Sequence, residues 1–198
     1  MRSFAVVIIT LAVGLTCLSG CGGGDSALVR LLGQVLDDGS LAAVQGARMV
    51  VSPGGAQGTS DVNGNFDVAG VPATTTVTIT ASGYQNTTLQ LANQTGEVDL
   101  GKIYLVPAPV AGTGTVSGLV TTAGGAAAPG ASVRAADREA KTRTNGTYKL
   151  YNVPAGFQTL FAASADRSTS GTVNVTVLGQ FETIANIRLT IQPPLPPN

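Results

Sequence analysis

The chain has 198 residues with 26 glycines, 10 prolines, no tryptophan and no histidine, a turn-rich composition that favours β-structure. Eleven Lys and Arg balance eleven Asp and Glu without a run of either sign, which leaves no electrostatic footprint for nucleic acid or for an anionic membrane surface. With no histidine, and with cysteine only at Cys17 and Cys21, the usual general base and the strongest nucleophile are missing from the body of the chain, so it is read as non-enzymatic.

At the N-terminus Arg2 precedes an apolar run from Phe4 to Leu15, too short to cross a bilayer as a mature helix, and Leu18-Ser19-Gly20 then leads into Cys21. Residues 1–20 resemble the type II signal peptide of bacterial lipoproteins. That resemblance implies that Cys21 is lipidated, that 21–26 is a short tether, and that the chain is held to a membrane through its lipid. An ordinary secretory signal cleaved near Gly20 is the competing reading. Anchoring by more than one acyl chain is stable where a single chain is marginal. Gly22 rather than Asp follows the cysteine, which by the sorting pattern of this lipoprotein class in two-membrane bacteria implies the outer membrane. Cys17 would leave with the signal and the Cys21 sulfur would be consumed as a thioether, so no disulfide is expected.

After the tether, Val29, Leu31, Gly33 and Val35 share one side of an extended segment, and Val116, Gly118 and Val120 repeat it later. Ala47, Met49 and Val51 match Ala131, Val133 and Ala135, which turns Arg48 and Arg134 outward. Ser60 to Ala73 then returns as Thr142 to Ala155. Each of these stretches has Asn-Gly, an aromatic at Phe66 or Tyr148, an aliphatic two residues on, and Val-Pro-Ala, the pattern of a β-hairpin ended by proline. Val77, Ile79 and Ala81 alternate with Thr76, Thr78 and Thr80 in a half-buried strand. The matching stretch at Thr159 to Ala163 is looser, because Leu160 and Phe161 are adjacent. Leu89 and Leu91, then Val173, Val175 and Val177, make a sixth strand, and Ile103 with Leu105, then Ile187 with Leu189, a last one. Phe66, Tyr148, Val77, Ile79, Val133 and Val175 are predicted core.

Roughly seven short strands in each of two copies predict an all-β protein of two tandem seven-stranded antiparallel β-sandwich domains behind the signal peptide. The domains run 27–106 and 114–192, with 107–113 as a semi-rigid linker and 193–198 as a Pro-rich tail. Each copy resembles a carboxypeptidase regulatory-like domain, a transthyretin-like sandwich of bacterial surface proteins. The residues that carry the likeness are Gly33-Gln34-Val35 and Gly118-Leu119-Val120, Gly46-Ala47 and Pro129-Gly130-Ala131, the Asn-Gly hairpins, Val-Pro-Ala, and Ala81-Ser82-Gly83-Tyr84. In the second copy Ser164-Ala165-Asp166 replaces the Gly-Tyr pair. The likeness speaks for fold and leaves function open between structure, spacing, adhesion and carbohydrate contact.

Asp61, Asn63, Asn65 and Asp67 alternate like calcium-loop ligands, but the second copy places Arg143 and Lys149 at the positions of Asp61 and Asp67, so a plain turn is expected and no metal or cofactor. Surface sandwiches of the collagen-adhesin B type carry a Lys-Asn cross-link from the first strand. Lys102, Lys141 and Lys149 all lie elsewhere. Glu97, Glu139 and Glu182 do not pair with a neighbouring acid, which gives a glycosidase dyad no support. Two functions remain: a non-catalytic structural spacer of the cell envelope, or a module binding an envelope glycan or a protein at the surface. Tyr104 and Tyr151 alternate outward as candidate sugar platforms. Cys21 to Asp25, five residues at about 3.5 Å each, keeps the first copy near the lipid, so the hairpin face of the second is the expected contact surface, with Tyr151 and Arg143 as its binding residues. Oligomeric state is left open.

Overall fold

The computed structural model describes residues 28–191. Cys21 with its flanking signal and tether, and the tail 193–198, lie outside the described residues. The described residues contain no helix, only strands joined by turns and loops, in two units: 28–36 with 42–105, and 37–41 with 106–191.

In the first unit β4 (Asn65–Pro72), β1 (Leu28–Asp37) and β7 (Glu97–Leu105) form one sheet in the order β4-β1-β7. The second sheet joins β3 (Gln57–Thr59), β2 (Arg48–Ser52), β5 (Thr75–Thr80) and β6 (Thr87–Leu91) in the order β3-β2-β5-β6. Alternation decides what is buried. Met49 lies opposite Ile79 and Val51 opposite Val77, and these four face Leu31, Val35, Phe66, Val68 and Leu105 across the sandwich. The threonines between them along β5 take the half-buried opposite face or, for Thr75, donate to the Ser52 carbonyl.

The second unit repeats the plan. One sheet runs β10 (Arg138–Lys141), β9 (Ser132–Ala135), β12 (Gly156–Ala163), β13 (Thr169–Val177) and β16 (Thr190–Ile191), in the order β10-β9-β12-β13-β16. The other is β11 (Thr147–Pro154), β8 (Thr113–Thr121) and β14 (Glu182–Ile184), with β15 (Ile187–Arg188) continuing along β8. Its core is Val116, Val120, Val133, Tyr148, Leu150, Leu160, Ile187 and Leu189 with their small neighbours. The adjacent Leu160 and Phe161 resolve by ordinary alternation: Leu160 is fully buried and Phe161 is exposed. Val175, predicted as core, is only partly buried against it.

Two details depart from a plain antiparallel pair of seven-stranded sandwiches. The last strand, continuous as β7 in the first unit, is broken into β14, β15 and β16 in the second, and both β14 and β15 run parallel to β8. The break falls where the Asn186 side chain, in place of a backbone carbonyl, accepts the Leu119 N–H at 2.9 Å. The segment 108–113 is also tied down within the second unit. Asn152 sits at φ 56° in the β11 bulge, donates to the Ala108 carbonyl at 3.0 Å and accepts the Val110 N–H at 3.1 Å. The equivalent bulge position in the first unit is Gly70 at φ 73°, which has no side chain to reach anything.

Candidate functional site

Asp37 organises the turn at 37–41. Its Oδ1 accepts the N–H of Gly39 at 3.0 Å, the N–H of Ser40 at 2.6 Å and the Ser40 hydroxyl at 2.8 Å, and its carbonyl accepts the Leu41 N–H at 3.0 Å. That turn carries Asp38, and the Gly39 carbonyl accepts the N–H of Lys141 at 3.0 Å.

Asp38 is where both predicted binding residues go. One carboxylate oxygen pairs with the Arg143 guanidinium, and the other accepts the Tyr151 hydroxyl. The Asp38 side chain is 14% exposed and that of Arg143 34%. Burial, and then the hydrogen bond to Asp38, push the Tyr151 phenol well above its ordinary range, so it stays a donor at every physiological pH. The Asp38 carboxylate thus has an ion pair on one oxygen and a phenol on the other. Tyr104, the other outward tyrosine of the sequence, is half-buried on β7.

The Asp61 to Asp67 stretch is used up in a comparable way. Asp61 Oδ1 accepts the N–H of Asn63 and of Asn65, both at 2.8 Å, and Asp67 pairs with Arg30. Among the described residues no three His, Cys, Asp or Glu side chains gather as a metal site.

Two functional positions of the fold escaped the sequence reading. Ser60 is buried, donates its hydroxyl to the Val44 carbonyl at 2.6 Å and accepts the Ala47 N–H at 2.9 Å. Thr142 does the same in the second unit, donating to the Ala128 carbonyl and accepting the Ala131 N–H at 2.8 Å. The available signal was that a hydroxyl residue opens both repeated segments.

No family model matches the sequence, and no curated protein does. Among solved structures the chain is similar to the Bacillus anthracis TIE protein, at 14% identity and TM-score 0.35 over 82% of this chain and 34% of that one. It is similar also to a streptococcal ancillary pilin, at 13% identity and TM-score 0.30 over 84% of this chain and 64% of that one. A third is the shaft pilin SpaA of Lactobacillus rhamnosus GG, at 11% identity and TM-score 0.31 over 86% and 99%. The chain thus spans about a third of the TIE protein and just under two thirds of the ancillary pilin. At that distance these proteins say nothing about what this chain does.

Proposed function

We propose that this is a lipoprotein of the cell envelope, anchored through Cys21 and sorted to the outer membrane, whose two sandwiches act as a non-catalytic structural spacer. The observation that carries the proposal is the Asp38 triad: the best-placed polar side chains of the second Asn-Gly segment, Arg143 and Tyr151, are spent on holding a turn of the chain itself. The Leu18 to Cys21 sequence supports the anchor. Cys21→Ala blocks processing, so that the chain accumulates at precursor size; a variant that still matures and stays with the membrane overturns the anchor.

A second reading, a surface module that binds protein or glycan, is favoured by a different observation. Phe157 on β12 and Phe181 after β13 are both about two-thirds exposed. Under that reading Tyr151 and Arg143 take part only by exchanging Asp38 for the ligand. A pull-down of envelope glycans and envelope proteins separates the two: a spacer recovers none above background, and a binder recovers one that competes with its own purified form.

A further inference from the structure

We propose that two copies of this chain pair edge to edge through β13, antiparallel, about a twofold axis at Asn174. One side of β13 is hydrogen-bonded to β12 from Ser170 to Val177, while the other meets β16 only at Thr169 and Ser170. From Thr172 to Val177 no described strand is paired with β13 on that second side, while at Gly171 the Arg188 carbonyl already closes in. The backbone groups facing it follow from the bonds at the strand's start. The Thr169 carbonyl accepts the Ser164 N–H on the β12 side, and the Ser170 carbonyl accepts the Thr190 hydroxyl on the other. Alternation then turns the N–H and C=O of Thr172, Asn174 and Thr176 toward the open edge.

The order of residues there is symmetric. Thr172-Val173-Asn174-Val175-Thr176 reads the same from either end, which is what an isologous twofold contact between antiparallel strands requires. With the axis on Asn174, that residue faces its own copy, Thr172 faces Thr176 of the second copy, and Val173 faces Val175. Every residue with outward backbone groups then meets another of the same kind, so all three facing pairs are hydrogen-bonded ones. An axis between two residues would set outward groups against inward ones. An axis on Thr172 runs into β16, and one on Thr176 opposes Asn174 to Leu178, past the strand's end at Val177.

The side chains fit the same arrangement. Val173 and Val175 lean on the core, while Thr172, Asn174 and Thr176 lie on the outer face, where Phe161 stands opposite Thr172 and Phe157 opposite Thr176 on β12. In the pair, each Thr172–Thr176 contact is flanked by Phe161 of one copy and Phe157 of the other, which extends the exposed aromatic row across the junction. Edge strands are normally protected by charge, proline or a bulge. The opposite edge of this sheet, β10, has Arg138, Glu139 and Lys141, but Gly171 to Val177 has no charge and no proline, so two copies meet without repulsion. The corresponding edge strand β6 of the first unit, Thr87-Thr88-Leu89-Gln90-Leu91, lacks the symmetry.

Single cysteines in the full chain test the axis. In a hydrogen-bonded antiparallel pair, facing Cα atoms are about 5.5 Å apart, inside the roughly 4.4–6.8 Å range of a disulfide. Asn174→Cys therefore gives a disulfide-linked homodimer on mild oxidation, above the wild-type background from Cys17 and Cys21. Thr172→Cys alone gives none, because its copies lie four residues, about 13 Å, apart along the strand. Mixed with Thr176→Cys it cross-links. Asn174→Pro removes an N–H turned to the side of β13 where no described strand is paired with it, so it keeps its β-type circular dichroism and melting and loses at least tenfold in association by sedimentation. Absence of a cross-link in folded Asn174→Cys, equal cross-linking of Thr172→Cys alone, cross-linking to a different protein, or full association of a folded Asn174→Pro each overturn the proposal.

Discussion

The two Asn-Gly loops that lead from one sheet to the other, 60–65 in the first unit and 142–147 in the second, share one backbone and differ in what their side chains do with it. In both, a buried hydroxyl bridges two backbone groups, and the glycine of Asn-Gly lies at φ 77° or 78° with its carbonyl accepting a β1 or β8 N–H. The glycine is required. A Cβ at Gly64 would stand 2.3 Å from the Val35 carbonyl oxygen, and one at Gly146 2.8 Å from that of Val120. One residue past the hydroxyl, by contrast, the copies diverge. Asp61 folds back on its own turn, while Arg143 reaches away to Asp38, and the turn-locking acceptor shifts to Asn145, which takes the Thr147 N–H and hydroxyl. Positions that satisfy buried backbone are thus held in common, and positions whose side chains leave the loop are free to acquire other partners.

The largest effects fall on the shared aromatic. Phe66 fills the space over Gly33, where an added Cβ would sit 2.7 Å from its ring, whereas Tyr148 donates its hydroxyl to the Ala185 carbonyl at 2.7 Å beside Gly118. Different neighbours, same burial: both Phe66→Ala and Tyr148→Ala cost about 3–5 kcal/mol in denaturant unfolding. A variant costing under about 1 kcal/mol in either copy breaks the equivalence of the two cores.

Next come the hydroxyl clamps. Ser60→Ala strands the Ala47 N–H and the Val44 carbonyl, and Thr142→Val strands the Ala131 N–H and the Ala128 carbonyl, all in buried surroundings. Each variant is expected to lose about 2–3 kcal/mol. The same measurement checks it, and near-equal losses sharpen the equivalence because the two loops share so little else.

Much of this fold was legible from residue spacing. Asn-Gly marks both tight turns, and period-two burial follows from Met49, Val51, Val77 and Ile79 as written; the hairpin expected there is not formed, because each turn carries the chain from one sheet to the other, from β3 to β4 and from β10 to β11, and those strands pair elsewhere. Features that escaped depend on partners distant in the chain. Asp38 meets Arg143 and Tyr151 more than a hundred positions away, so alternation could place Tyr151 off the core without showing that a carboxylate covers it. Ser60 and Thr142 are polar types that usually lie at the surface, and only the carbonyls of Val44 and Ala128 explain their burial. Ile187 and Leu189 repeat the spacing of Ile103 and Leu105, so nothing local announced that Asn186 would split that strand.

The smallest effect separates the two copies by acid. Where the first copy has Gly83-Tyr84, with Tyr84 packed on its core, the second closes the β12–β13 hairpin with Asp166, whose Oδ1 accepts the Ser164 hydroxyl at 2.6 Å, the Ser168 N–H at 3.1 Å and the Ser168 hydroxyl at 2.8 Å. These bonds, that of Ser164 foremost, pull the Asp166 carboxyl from its ordinary 3.8 to about 2. Arg30 lowers Asp67 in the first copy, chiefly by its hydrogen bond. Both shifts have one sign. A carboxyl depressed in the folded state binds fewer protons than in the unfolded chain, so its contribution is complete above about pH 4 and fades as pH falls toward the folded value. Salt distinguishes them: the exposed Arg30–Asp67 pair is screened, whereas the hydroxyl and N–H contacts of Asp166 are not an ion pair. Melting temperature followed between pH 6 and pH 2 should therefore show an acid-dependent loss that Asp166→Asn reduces at low and high salt alike, and that Asp67→Asn reduces only at low salt. A salt-sensitive Asp166→Asn difference, or none, would show that the turn is not held by this carboxylate.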